Sequence, residues 1–83
     1  MFHVIWLQEA LDDLTEIWVQ SESTLRKAIT TAAHWLEQEL QTDPFRLSES
    51  RIENRRVIFM SPLGVYFEVE SNLVWILNVW IIS

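Results

Sequence analysis

Apolar residues recur at three- and four-residue steps through the first half of the chain and almost without a break through the second, so the pattern predicts helices followed by strands. Phe2 to Trp6 is short, β-rich and apolar apart from His3, which predicts an opening strand. Leu7, Ala10, Leu11, Leu14, Ile17 and Trp18 then form one stripe of an amphipathic helix, with Trp18 expected in the core. Glu9, Asp12, Asp13 and Glu16 fall on the opposite face, where both aspartates are expected to be solvated. Ser21, Glu22 and Ser23 interrupt the pattern, and either serine is an expected cap for a second helix. That helix carries the stripe Leu25, Ala28, Ile29, Ala32, Ala33, Leu36 and Leu40 and ends at Thr42, Asp43 and Pro44, because proline disfavours a helical residue before it. So short a connection predicts an antiparallel helical hairpin.

The remainder reads as strands and turns. Residues 45–54 are irregular, with a short edge strand expected over Arg51 to Glu53. Arg56 to Met60, Val65 to Glu70 and Leu73 to Ile82 are three strands, separated by a turn at Ser61 to Gly64 and a tight hairpin at Ser71 and Asn72. The expected architecture is one α+β domain over residues 1–83, in the order β-α-α-β-β-β, with the helical hairpin on one face of a small, mostly antiparallel sheet.

Composition narrows the chemistry. The chain is short for a self-sufficient core, and with 49 % hydrophobic residues, one glycine and two prolines it reads as compact. There is no cysteine, which excludes a disulfide framework, a zinc-thiolate site and a cysteine nucleophile. His3 and His34 lack the spacing of a metal pair, so neither a metal nor a cofactor is expected. No run is long and apolar enough for a membrane helix, and a cytoplasmic protein is expected. The formal net charge of −6 disfavours a general grip on nucleic acid. All of that charge lies in residues 1–45, where eight acids face Arg26 and Lys27; beyond them Arg46, Arg51, Arg55 and Arg56 balance Glu49, Glu53, Glu68 and Glu70.

The order of these pieces resembles the RelE/ParE superfamily of type II toxins. The resemblance rests on Ala10, Asp13, Leu14 and Ile17 in the first helix; Asp43 and Pro44 after the second; Arg55 and Arg56 before a strand; Val65, Tyr66, Phe67 and Val69 in the hairpin; and Val74, Ile76 and Val79 in the closing strand. It implies a small toxin of the plasmid-stabilisation kind, held silent by a cognate antitoxin. RelE-like members cut mRNA on the ribosome without a metal, which is the leading expectation here, whereas the alternative is a non-enzymatic binder, either a ParE-like inhibitor of DNA gyrase or a degenerate member that only binds an antitoxin or itself. On the leading expectation Arg55, Arg56 and Tyr66 are the catalytic candidates, and Arg46 and Arg51 the RNA-binding ones, since cations polarise a scissile phosphate. The chain departs from that pattern at Gly64 and Val65, which are uncharged where a key arginine is usual, and at Trp80-Ile81-Ile82-Ser83, where a basic or histidine-containing tail is usual.

The bland alternative for the four arginines is surface pairing with nearby glutamates, and for Tyr66 strand packing. Glu68 and Glu70 share one strand face as two exposed acids. Along the last strand Trp75 has the parity of Leu73, Leu77, Val79 and Ile81, and Trp80 that of Val74, Ile76, Asn78 and Ile82, so both faces are apolar. One face suits the helices. The other calls for a partner, with Phe67, Trp75 and Trp80 as its contact residues, whether the antitoxin or a second copy in a homodimer; the alternative cover is segment 45–54.

Overall fold

A computed structural model of the chain describes residues 1–82. Strand β1 (His3–Trp6) leads into helices α1 (Gln8–Val19) and α2 (Ser23–Thr42), followed by the two-residue strand β2 (Glu49–Ser50), β3 (Arg55–Met60), β4 (Leu63–Glu70) and β5 (Leu73–Ile81). One five-stranded sheet has the order β1-β5-β4-β3-β2, with β1 parallel to β5 and the other pairings antiparallel. The expected α+β architecture is the observed one. The edge strand lies at Glu49–Ser50 rather than Arg51 to Glu53, because Glu53 takes a positive φ of 55° in the turn into β3.

The helices cover one sheet face. Ile58, Leu63, Val65, Phe67, Val74, Ile76 and Val79 point from the strands into a core with Ala10, Ile29, Ala32, Leu36 and Leu40 of the helices. Ala10 and Ala32 keep the inner helix surfaces small, which lets both helices lie close to the sheet. Each large side chain buried there contributes about 1.5–3 kcal/mol. Phe67 is wholly buried in this layer, which removes it from the expected partner-contact residues.

A β-bulge sets the faces of β5. Tyr66 pairs with Asn78 but the next residue, Phe67, pairs with Ile76, so Leu77 is extra on its strand. Inward positions therefore shift from Val74 and Ile76 to Val79. Strict alternation placed Trp75 and Trp80 on opposite faces; the bulge puts both on the face away from the helices.

Several local expectations are corrected by the same contacts. Trp18 is 42 % exposed rather than core, and what covers its ring is Arg26 at 4.2 Å rather than the sheet. Arg26 also donates to the Trp18 and Val19 carbonyls at 2.8 and 2.9 Å, closing the end of α1. Neither serine caps α2: Glu22 holds the cap position without a side-chain bond, Ser23 is already helical, and Ser21 donates back to the Ile17 carbonyl at 2.7 Å. Asp13 is not simply solvated, since its carboxylate accepts the Val79 N–H at 3.0 Å and ties α1 to β5. Leu63 and Gly64 belong to β4 rather than to the turn before it.

Candidate functional site on the open sheet face

Cross-strand register lays out rows on the face opposite the helices, three of which carry the candidates. Arg55, Glu68, Trp75 and Ile5 form one; Glu49, Val57, Tyr66 and Asn78 the next; Phe59, Gly64 and Trp80 the third. Beyond the first of these, Glu70, Leu73 and His3 form another. Segment 45–54 does not fold across these rows as its alternative role required. Its first residues lie on the helix side, with Phe45 6.0 Å from Phe2 edge to face and Arg46 paired to Glu39 of α2 at 2.8 Å.

The four arginines separate. Arg56 points the opposite way from Arg55, because adjacent strand residues alternate. It donates to the Ser48 hydroxyl at 2.6 Å and the Ser48 carbonyl at 3.1 Å, and lies 5.2 Å from the Phe45 ring, so it anchors the irregular segment. Arg46 bonds both oxygens of Glu39, which raises its pKa above the usual arginine value, chiefly through the side-chain hydrogen bond. Arg51 meets Glu49 at 3.3 Å. Arg51 lies at the β2 edge of the open face beside Glu49, whose partner in register is Val57, and Arg55 stands within that face. It donates to Glu68 at 3.2 Å and sits 5.9 Å from the Tyr66 ring; these two side chains, Tyr66 first, raise its pKa above the usual arginine value. Arginine is charged at physiological pH in any case, so what the pair changes is the local field, which Glu68 offsets.

The third row is aromatic. Phe59 is 46 % exposed and meets Trp80 edge to face, with centroids 6.2 Å apart. The indole lies across Gly64, where a Cβ would come within 2.6 Å of its ring. Gly64 is thus the floor beneath Trp80, and the space a longer side chain would need at position 64 is filled. Phe59 was absent from the sequence candidates. Its parity with Arg55 and its register opposite Gly64 were the available signals, and both required the hairpin pairing to be known.

Among the described residues no side-chain nitrogen or oxygen is buried without a hydrogen-bond partner, and no group of three or more His, Asp or Glu side chains converges. No helix is long and apolar enough to cross a membrane.

No family model and no curated protein sequence matches the chain. Solved structures do match. A chromosomal ParDE TA system from P. aeruginosa superposes with a TM-score of 0.77 at 19 % identity, covering 100 % of this chain and 98 % of that one. The fold is the RelE/ParE fold. The RelBE2 toxin-antitoxin complex of Mycobacterium tuberculosis aligns at TM-score 0.68 and 16 % identity, covering 96 % of both chains. The isolated E. coli RelE toxin aligns at 0.65 and 16 %, covering 100 % of this chain and 86 % of that one. At such identities it is the RelE/ParE backbone arrangement that is shared, and the side chains on the open face are this chain's own.

Proposed function

We propose that the protein is the toxin-type half of a toxin-antitoxin pair that acts in the cytoplasm by binding a protein target, in the manner of a ParE-like gyrase inhibitor, and not by cutting RNA. The observation that carries this reading is the content of the open face: Arg55 hydrogen-bonded to Glu68, and Arg51 at the edge paired to Glu49, beside the aromatic row of Phe59 and Trp80 over Gly64. Phosphoryl chemistry needs positive groups directed at the developing charge, and arginines each offset by a glutamate are a weak provision for it. Aromatic residues on a flat face are the usual anchors of a protein interface. The likeness to ParDE and RelBE assemblies supports a cognate antitoxin as the protein that silences it.

Inducing the chain alone in a bacterial host, with and without the neighbouring gene's product, tests the reading. The expected result is growth arrest relieved by that product, intact mRNA 5′ ends in primer extension, and loss of gyrase supercoiling in vitro. Phe59→Ala with Trp80→Ala should abolish the arrest, and Arg55→Ala should leave it in place. Ribosome-dependent mRNA cuts that disappear in Arg55→Ala or Tyr66→Phe would establish the nuclease instead.

A further inference from the structure

The sheet has a second unpartnered feature at the outer edge of β5. β1 pairs with Leu73 to Ile76 and stops there, where the Leu7 N–H donates to the Ile76 carbonyl at 3.1 Å and the chain turns into α1. Beyond the bulge, Trp80 and Ile82 direct their backbone groups toward β4, as the Ile82 N–H bond to the Pro62 carbonyl at 2.8 Å shows. Backbone groups alternate along a strand, so those of Val79 and Ile81 face outward. Asp13 takes the Val79 N–H. The Val79 carbonyl and both backbone groups of Ile81 remain without a partner among the described residues.

Beside this edge lies a cleft of about 210 Å³, with Asp13, Glu16 and Gln20 of α1 on one wall and Trp80 and Ile81 on the other. α1 contains Glu9, Asp12, Asp13 and Glu16 and no basic residue. No ion pair among the described residues involves either carboxylate of the cleft.

We infer that this edge receives an extended segment of a partner protein, added beside β5 where β1 has left it, with a lysine or arginine on the helix side and an apolar residue on the open-face side against Trp80. Three features specify that occupant. The free backbone groups require a strand, since only an extended segment presents matching N–H and C=O groups at this spacing. Side chains of such a strand alternate between the two faces, so one set meets Asp13 and Glu16 while the other meets the indole. A second copy paired edge to edge by a two-fold axis would set its own Asp13 and Glu16 against these, and like charges disfavour that arrangement. The inference needs no toxic activity, and Trp80 is the one residue it shares with the proposed target surface.

The test titrates the full chain, ¹⁵N-labelled, with synthetic octapeptides: one alternating valine and lysine, one alternating valine and glutamate, and the lysine peptide with a central proline. The valine-lysine peptide is expected to shift the Ile81 amide and slow its exchange with solvent, with the other two inactive. Glu16→Lys should weaken binding about two- to five-fold, the scale of one exposed ion pair. Ile81→Pro should abolish binding at unchanged thermal stability, because the N–H it removes serves no internal ladder. If Ile81→Pro also lowers stability, Glu16→Lys decides the matter from the helix surface. Equal affinity for the lysine and glutamate peptides, shifts centred away from Ile81, or no shift at millimolar peptide would each overturn the inference.

Discussion

Gly64→Ala is the most informative single substitution in the sheet. The backbone at Gly64 has no positive φ, so alanine is compatible with it conformationally. Added alone to a strand, the methyl group should stabilise by about 0.4–1 kcal/mol through the unfolded chain. Here it meets the Trp80 ring at 2.6 Å, against 3.4 Å or more for an ordinary contact, so the indole has to move. Trp80 keeps 36 % of its surface exposed, and the cover it has comes in part from the Gly64 backbone and the Phe59 edge. Lifting it re-exposes roughly 60 Å² of apolar surface, about 1.5 kcal/mol at ~25 cal/mol/Å². Weakening the contact with Phe59 adds about 0.5–1.5 kcal/mol.

The balance is a net loss of about 1–2.5 kcal/mol, and each kcal/mol lowers Tm by about 4–8 °C in a domain of this size. Circular dichroism melts of Gly64→Ala in the wild-type and Trp80→Ala backgrounds measure it. In the second background the obstacle is gone, and the same substitution should stabilise by about 0.4–1 kcal/mol. The reasoning is falsified if Gly64→Ala has the same effect in both backgrounds.

Other outcomes follow from the contacts described above. Phe67→Ala should cost about 3–5 kcal/mol in chemical denaturation, as for a fully buried aromatic, whereas Trp75→Ala on the open face should cost clearly less. Arg56→Ala should lose about 1–2 kcal/mol and speed amide exchange across residues 45–50, since its bonds to Ser48 hold that segment; unchanged exchange there would refute the anchoring role. Asp13→Ala should cost about 1.5–3 kcal/mol by freeing the Val79 N–H, with faster exchange read at that amide. Arg26→Ala should lower stability by about 1 kcal/mol by uncapping α1, and a blue shift of Trp18 emission would contradict its removal from that ring.

The sequence by itself determined the element order, the apolar stripe of the second helix and the positions of the three long strands, because apolar periodicity is a local property that each element carries unaided. It also contained the asymmetry of charge that leaves the helical half acidic. What only the tertiary structure decided was which residues share a face or a contact. The Leu77 bulge reverses the parity of β5 and brings Trp75 and Trp80 together, and no window of residues around it announces an extra residue in a ladder. Arg55 and Arg56 are equivalent in sequence but divided by strand alternation, one beside Tyr66 and Glu68, the other on Ser48. Asp13 has the pattern of a solvated helical acid and becomes the partner of a β5 amide 66 positions away, because α1 runs along the edge that β1 leaves open. Trp18 fits the apolar stripe and yet lies outside, where the start of α2 brings Arg26 over it. In each case a long-range pairing sets the environment of the side chain, and such pairings depend on loop geometry and register that local hydrophobic pattern does not encode.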